Sequence, residues 1–191
     1  MMKNQDNDRY SKLKMYTPTM FTTLNLLMGI IVIYNIVLDN SNSYRIDLPL
    51  LIVFAGFCDV LDGKIARKFN VESDFGKEMD SLADSISFGL APVTLVICRL
   101  IEYAGLLGVI ASLVFPVAGV FRLAKFNVTE SNGYFEGLPI TVAGVALALK
   151  HLISLLLGLQ GSAVYIDSYL TGGAMIIASL LMVSKIKIKK V

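Results

Sequence analysis

The sequence predicts an all-α, polytopic membrane helical bundle of six transmembrane helices with a short N-terminal interfacial helix. Three observations predict it. Apolar residues make up 55% of the 191 residues, tryptophan is absent, and the mean hydropathy is +0.67; chains of that composition are solvated by lipid rather than water. Apolar stretches of roughly 20 residues recur along the chain, the length that crosses ~30 Å of hydrocarbon at ~1.5 Å per residue. Lysine and arginine gather at alternate ends of those stretches, as they do in multi-pass proteins.

Residues 1–16 are polar and basic, with Lys3, Arg9, Lys12 and Lys14. Tyr10, Leu13 and Tyr16 recur at a spacing of three, which predicts a helix over 8–16 lying on the membrane surface. Thr19–Leu38 is the first span, too long for a signal-peptide core and followed by no small-residue cleavage site. A polar loop, Asp39–Asp47, leads to a second span over Leu48–Ala66, apolar in its first half and charged in its second. The third span is expected over Lys77–Leu100 and the fourth over Tyr103–Arg122. A loop over Lys125–Glu136 carries Gly and Asn turn signals. Pro139 suits the first turn of a fifth span over Leu138–Leu159. Lys150 and His151 interrupt that span and fit either side chains reaching for the far surface or a shorter helix. The sixth span, Ala163–Val183, precedes Lys185, Lys187, Lys189 and Lys190. The chain thus divides into a cytoplasmic N-terminal segment (1–18), a six-span membrane domain (19–184) and a basic tail (185–191). Cys58 and Cys98 lie in apolar sequence and read as packing residues rather than a disulfide.

The cation count orients the bundle. One side collects Lys3, Arg9, Lys12, Lys14, Lys64, Arg67, Lys68, Lys77, Arg122, Lys125 and the C-terminal lysines; the other has Arg45, Arg99 and Lys150. Both termini and the charged end of the second span are therefore expected in the cytoplasm, with the chain a multi-pass protein of the cell membrane. Topology and attraction to anionic lipid account for the terminal lysines, so nucleic acid is not an expected partner.

The stretch Asp59–Asp84 carries the chemistry. On a helix, Asp59, Asp62, Gly63, Ala66 and Arg67 fall within an arc of about 140°, and Gly76, Asp80 and Asp84 step by four along another. A short polar connection over Phe69–Phe75 makes these two helices an antiparallel hairpin. Asp62 and Asp80 then lie at similar depth, as do Asp59 and Asp84, and four carboxylates converge. Each acid alone has a plainer role: Asp80 at a positive helix end, Asp59 paired with Lys64 or Arg67. The joint register sets the group apart. Converging carboxylates must be neutralised, by protons or by a divalent cation, and an all-oxygen donor set suits magnesium, manganese or calcium. Gly63, Ala66 and Gly76 let a bulky ligand approach the backbone, and Arg67 offers a planar fork for phosphate. Together these features point to a phosphate-bearing nucleotide.

The pattern D-x2-D-G-x2-A-R-x8-G-x3-D-x3-D, complete in Asp59, Asp62, Gly63, Ala66, Arg67, Gly76, Asp80 and Asp84, resembles the signature of the CDP-alcohol phosphotransferases. The resemblance implies an integral membrane enzyme, a homodimer, that displaces CMP from a CDP-activated lipid or alcohol. It implies Mg2+ or Mn2+ held by Asp59, Asp62, Asp80 and Asp84, as one ion or two, with Ca2+ able to occupy the same place. It implies Asp84 as the general base, and CDP-lipid contacts from Asp59, Gly63, Ala66, Arg67 and Gly76. Direct attack by the acceptor and a covalent route through Ser81 or Ser85 both remain open.

Two flanking stretches bear on the acceptor. The run from Pro18 to Gly29 is similar to the P-N-x2-T-x2-N-x3-G entry of many members, matching at Thr22 and Asn25 and departing at Thr19. The run from Phe121 through Arg122, Lys125 and Asn127 to Tyr134, Gly137 and Pro139 resembles the R-L-A-R-F-N … F-x-G-L-P segment of the family's phosphatidylserine synthase branch, with Lys125 in place of Arg. Within residues 17–145 the resemblance implies CDP-diacylglycerol or CDP-archaeol as donor and L-serine as acceptor. Thr22, Asn25, Arg122 and Lys125 are then candidates for holding serine or lipid phosphate. Glycerol 3-phosphate or inositol phosphate would call for a denser basic pocket. A cation transporter, the reading from another class, leaves Gly63, Ala66, Gly76 and Arg67 without a role.

Overall fold

In the computed structural model the described residues are 2–38, 45–69, 73–128, 134–184 and 187–189, with side chains described for 20–38, 45–65, 68, 73–128 and 137–184. Each apolar stretch is helical, the arrangement that satisfies backbone N–H and C=O groups within one segment. The elements are α1 (Met2–Leu38), α2 (Asp47–Phe69), α3 (Asp74–Asp84), a π-helical turn (Ser85–Leu90), α4 (Ala91–Val128), α5 (Ile140–Leu156) and α6 (Ser162–Val183). Among the described residues three segments are long and apolar enough to cross a membrane: Met20–Leu38, Asp74–Val128 and Ser162–Val183. The chain is accordingly a membrane protein. Ile140–Leu156 is apolar but shorter. The charged half of α2 keeps that helix out of the group.

The break between the predicted third and fourth spans lies at Gly105, just inside the predicted fourth span, where φ of 55° and ψ of −128° divide α4 into two limbs. Glycine adopts that conformation without a Cβ penalty, so the apolar run reverses with no polar loop to announce it. The limbs close tightly: a Cβ on Gly108 would stand 2.1 Å from the Leu100 carbonyl oxygen.

Several predicted boundaries move. No separate surface helix covers 8–16, because α1 runs on from Met2. The expected loop over Lys125–Glu136 is shorter, since α4 continues to Val128. Pro139 is the extended N-cap of α5, not part of its first turn, and α5 ends at Leu156, just before Gly158 at φ 57°. The all-α expectation needs one amendment. Strand β1 (Tyr134–Glu136) pairs antiparallel with β2 (Lys187–Lys189), Phe135 opposite Ile188, so part of the basic tail is tied to the segment that leads into α5. The Leu138 amide extends that tie by donating to the Leu181 carbonyl at 3.1 Å.

Val32, Ile52, Ala55, Phe88, Ala91, Ile140 and Ala148 are fully buried at the centre. Neither cysteine is in a disulfide; Cys58 is buried as a packing residue, whereas Cys98 is exposed. Lys150 does not reach for the surface. Its ammonium meets Asp167 Oδ1 of α6 at 2.5 Å and also donates to Thr171, while Ser154 donates to the same carboxylate at 3.0 Å. Removing one partner of a buried pair costs about 3–5 kcal/mol. The side chains here are 33% and 18% exposed, so Asp167→Asn should cost less, about 1–3 kcal/mol. It is expected to lower the melting temperature in detergent while leaving turnover intact, because the pair lies far along α5 from the acidic site. An unchanged melting temperature would remove the pair from the list of stabilising contacts.

Candidate active site

Local rules set the two motif acids of α3, Asp80 and Asp84. Ser73 caps α3 by accepting from the Gly76 amide at 3.0 Å. Asp80 and Asp84 then follow one turn apart on one face. Directly after Asp84 the helix widens into the π-turn, a feature common at functional sites. Close backbone approaches clamp that turn from both sides. A Cβ on Gly29 of α1 would stand 2.8 Å from Ser87 Cα, and one on Gly144 of α5 would stand 2.5 Å from the Phe88 carbonyl oxygen. Ser87 also donates to the Asn25 carbonyl at 2.8 Å.

The predicted convergence of acids occurs, but α1 mediates it. α1 packs against both α2 and α3, while α2 and α3 make few direct contacts with each other. Asp59, Asp62 and Asp80 each offer a carboxylate oxygen within 4.8 Å of the other two. Asp62 is 5% exposed and accepts from Thr22 Oγ1 at 2.9 Å. Asp84, 6% exposed, is not one of that triad; it accepts from Asn25 Nδ2 at 3.2 Å and from Thr141 Oγ1 at 3.4 Å. Asp59 neighbours both Thr141 and Asp84. Thr22 and Asn25 therefore direct their donors at the acids rather than at an open acceptor pocket.

The residues fit a divalent metal on two grounds. The triad is an all-oxygen donor set suited to a hard cation, and Asp80 Oδ1 is buried with no hydrogen-bond partner. Among the described residues, this triad is the group of acids or other ligand side chains close enough to hold such an ion.

Beside the triad, a Cβ on Gly63 would meet nothing within 4 Å, so the backbone there faces open space. Gly76 has a neighbour, Ser73 Oγ at 3.1 Å from the same construction, and its place in the N-cap accounts for part of its environment. The side chains of Ala66 and Arg67 lie outside the described residues.

Arg122, on the far limb of α4, is 9% exposed and interacts electrostatically with Asp84. Its Nε is buried without a hydrogen-bond partner, an arrangement that costs free energy unless a ligand supplies an acceptor. Lys125 stands one turn further along, half-buried. Asn127 then ties α4 to α3, donating to Ser81 Oγ at 3.0 Å and to Glu78 Oε1 at 3.3 Å. Sequence reasoning missed Thr141 and the anchoring role of Asn127. Both act across helices, at separations of 57 and 46 residues, where no local spacing signals them.

The arrangement can hold a hard cation against a phosphate, take a proton at Asp84, and offer a buried guanidinium to an anion. Comparison with known proteins agrees in kind. The family profile for CDP-alcohol phosphatidyltransferase matches residues 15–184. A Bacillus subtilis relative named CDP-diacylglycerol–serine O-phosphatidyltransferase is 36% identical over 136 residues, covering 70% of this chain and 74% of its own. A Methanocaldococcus jannaschii relative of the same name is 35% identical over 170 residues, covering 88% and 71%. An archaetidylserine synthase of Methanothermobacter thermautotrophicus is 33% identical over 178 residues, covering 91% and 70%.

Proposed function

Because the chain belongs to the CDP-alcohol phosphatidyltransferase family, we propose that it transfers a phosphatidyl or archaetidyl group from CDP-diacylglycerol or CDP-archaeol to L-serine, releasing CMP. The observation that supports serine as acceptor is the agreement of relatives from a bacterium and two archaea, all with serine in their names, over 70–91% of the chain.

Asp59, Asp62 and Asp80 would hold Mg2+ or Mn2+, which when bound supplies Lewis-acid neutralisation of the diphosphate and of charge on the departing CMP. Asp84 takes the serine hydroxyl proton, with Asn25 and Thr141 fixing its carboxylate. The serine oxygen attacks the phosphorus that bears the lipid, and the bond to CMP breaks. The open face at Gly63 receives the cytidine, with Ala66, Arg67 and Gly76 along the same two helices. Arg122, whose Nε lacks a partner, takes the serine carboxylate, with Lys125 at the mouth of the pocket.

In this reading six spans cross the cell membrane, α1, α2, the segments 74–104 and 106–128, α5 and α6, supported by their apolar sequence and by the helix break at Gly105. The cation distribution puts both termini and the acidic site in the cytoplasm, where the start of α1 rests at the interface. Membership of the family supports a homodimer as the working unit.

The test is purified protein with CDP-diacylglycerol, divalent metal and a panel of alcohols, monitored for CMP and lipid product. CMP release with glycerol 3-phosphate or an inositol phosphate but not with serine would overturn the acceptor assignment. The same assay run as a two-substrate matrix on Arg122→Ala separates the roles of that residue. Losing a charge-assisted hydrogen bond costs about 1.5–3 kcal/mol, roughly ten- to a hundredfold. The serine KM should rise by that factor while the KM for CDP-diacylglycerol holds. A loss confined to CDP-diacylglycerol would move Arg122 to the lipid phosphate.

A further inference from the structure

Thr141 is placed with unusual firmness for a residue in the first turn of a helix. Pro139 fixes the backbone before it, and its carbonyl accepts from the Ala143 amide at 3.1 Å. Ile140, immediately before it, is fully buried. Gly144, three residues on, lies in backbone contact with Phe88 of the π-turn that follows Asp84. The strand pair and the Leu138–Leu181 hydrogen bond anchor the same segment to the end of α6. A β-branched side chain on such a backbone has little rotamer freedom.

Its hydroxyl donates to Asp84 Oδ2 at 3.4 Å, and Asp59 is its neighbour. Those two acids come from α3 and α2, which barely touch. Something outside both helices must therefore keep their carboxylates in a fixed relation. Asn25 donates to Asp84 and Thr22 to Asp62. Thr141 is in reach of one acid of the metal-holding triad and of the base together.

We propose that Thr141 is a positioning residue that yokes Asp59 to Asp84, so that the metal-holding acid and the proton-accepting acid keep one geometry. The proposal rests on the roles given to those acids above. A hydroxyl has one proton, which Thr141 donates to Asp84, while its place beside Asp59 keeps the two carboxylates at one separation. A purely packing role would rest on the γ-methyl instead, and valine would replace threonine without loss.

Thr141→Val and Thr141→Ser separate these cases in the full-length protein purified in detergent. One readout is steady-state kinetics; the other is Mn2+ affinity measured by titration without substrate. Thr141→Val should lower kcat by about ten- to a hundredfold, with the CDP-diacylglycerol KM within about threefold of wild type, and should weaken Mn2+ binding several-fold. Thr141→Ser should recover most of both. Wild-type kcat and Mn2+ affinity in Thr141→Val would overturn the proposal, as would a Thr141→Ser variant as impaired as the valine. Should the wild-type protein use an alcohol other than serine, the acceptor reading fails alone. The same variants on that alcohol, and on Mn2+, still decide the role of Thr141.

Discussion

Stripping divalent metal from the purified protein is expected to bring CMP release to background, and adding Mg2+ or Mn2+ is expected to restore it. The reason is electrostatic. Asp59, Asp62 and Asp80 present oxygens within 4.8 Å of one another. At an effective dielectric constant of about 20, two unit charges ~5 Å apart repel by about 3 kcal/mol, and three such pairs by about 10 kcal/mol. That is as large as the net stability of a typical domain. The three cannot stay ionised together without a counter-charge. Protons would silence the site as a phosphate-binding centre, whereas a divalent ion turns the same repulsion into affinity. The unpartnered Oδ1 of Asp80 fits the second case. Full turnover in excess chelator, with no ion found by elemental analysis of the active preparation, would sink the metal assignment.

The features legible in the sequence were those carried by short spacings. Asp59 and Asp62, and Asp80 and Asp84, sit one turn apart whatever surrounds them, and the polar connection between the two helices sets their relative depth. Hence the convergence of the four acids is legible in sequence, but not that Asp59, Asp62 and Asp80 form a triad with Asp84 outside it. Thr22 and Asn25 share a face by the same rule, but their targets could not be read. Thr22 meets Asp62 across 40 residues and Asn25 meets Asp84 across 59, distances set by tertiary packing of α1 between the motif helices. Lys150 looked awkward because its counter-ion, Asp167, belongs to the next helix. The break at Gly105 lies just past the predicted gap, because the nearby polar residues, Arg99 and Glu102, precede the glycine that makes the turn. Thr141 had no signal at all. A threonine two residues after a proline is ordinary in sequence, and only the clamp of Gly144 on the π-turn gives it its place.

Asp84→Asn is expected to lower kcat by about 10²–10⁴-fold, the usual worth of a general base, while leaving the fold and Mn2+ binding close to wild type. Asparagine matches aspartate in shape, and its carbonyl oxygen can still accept from Asn25 or Thr141, the donors that now serve Asp84. What it cannot do is take the serine proton. Asp84 is also 6% exposed and outside the triad of Asp59, Asp62 and Asp80, so metal affinity should rest chiefly on the other three. Asp80→Asn is the matched control. It removes a triad acid, and both Mn2+ affinity and turnover should fall together. The pair of variants therefore separates a base from a ligand, a distinction that the spacing of the motif leaves open. If Asp84→Asn loses Mn2+ affinity as severely as Asp80→Asn, Asp84 is a fourth ligand and the serine proton leaves by another route. If Asp84→Asn keeps kcat within about tenfold of wild type, well short of what a general base contributes, the residue is not the base.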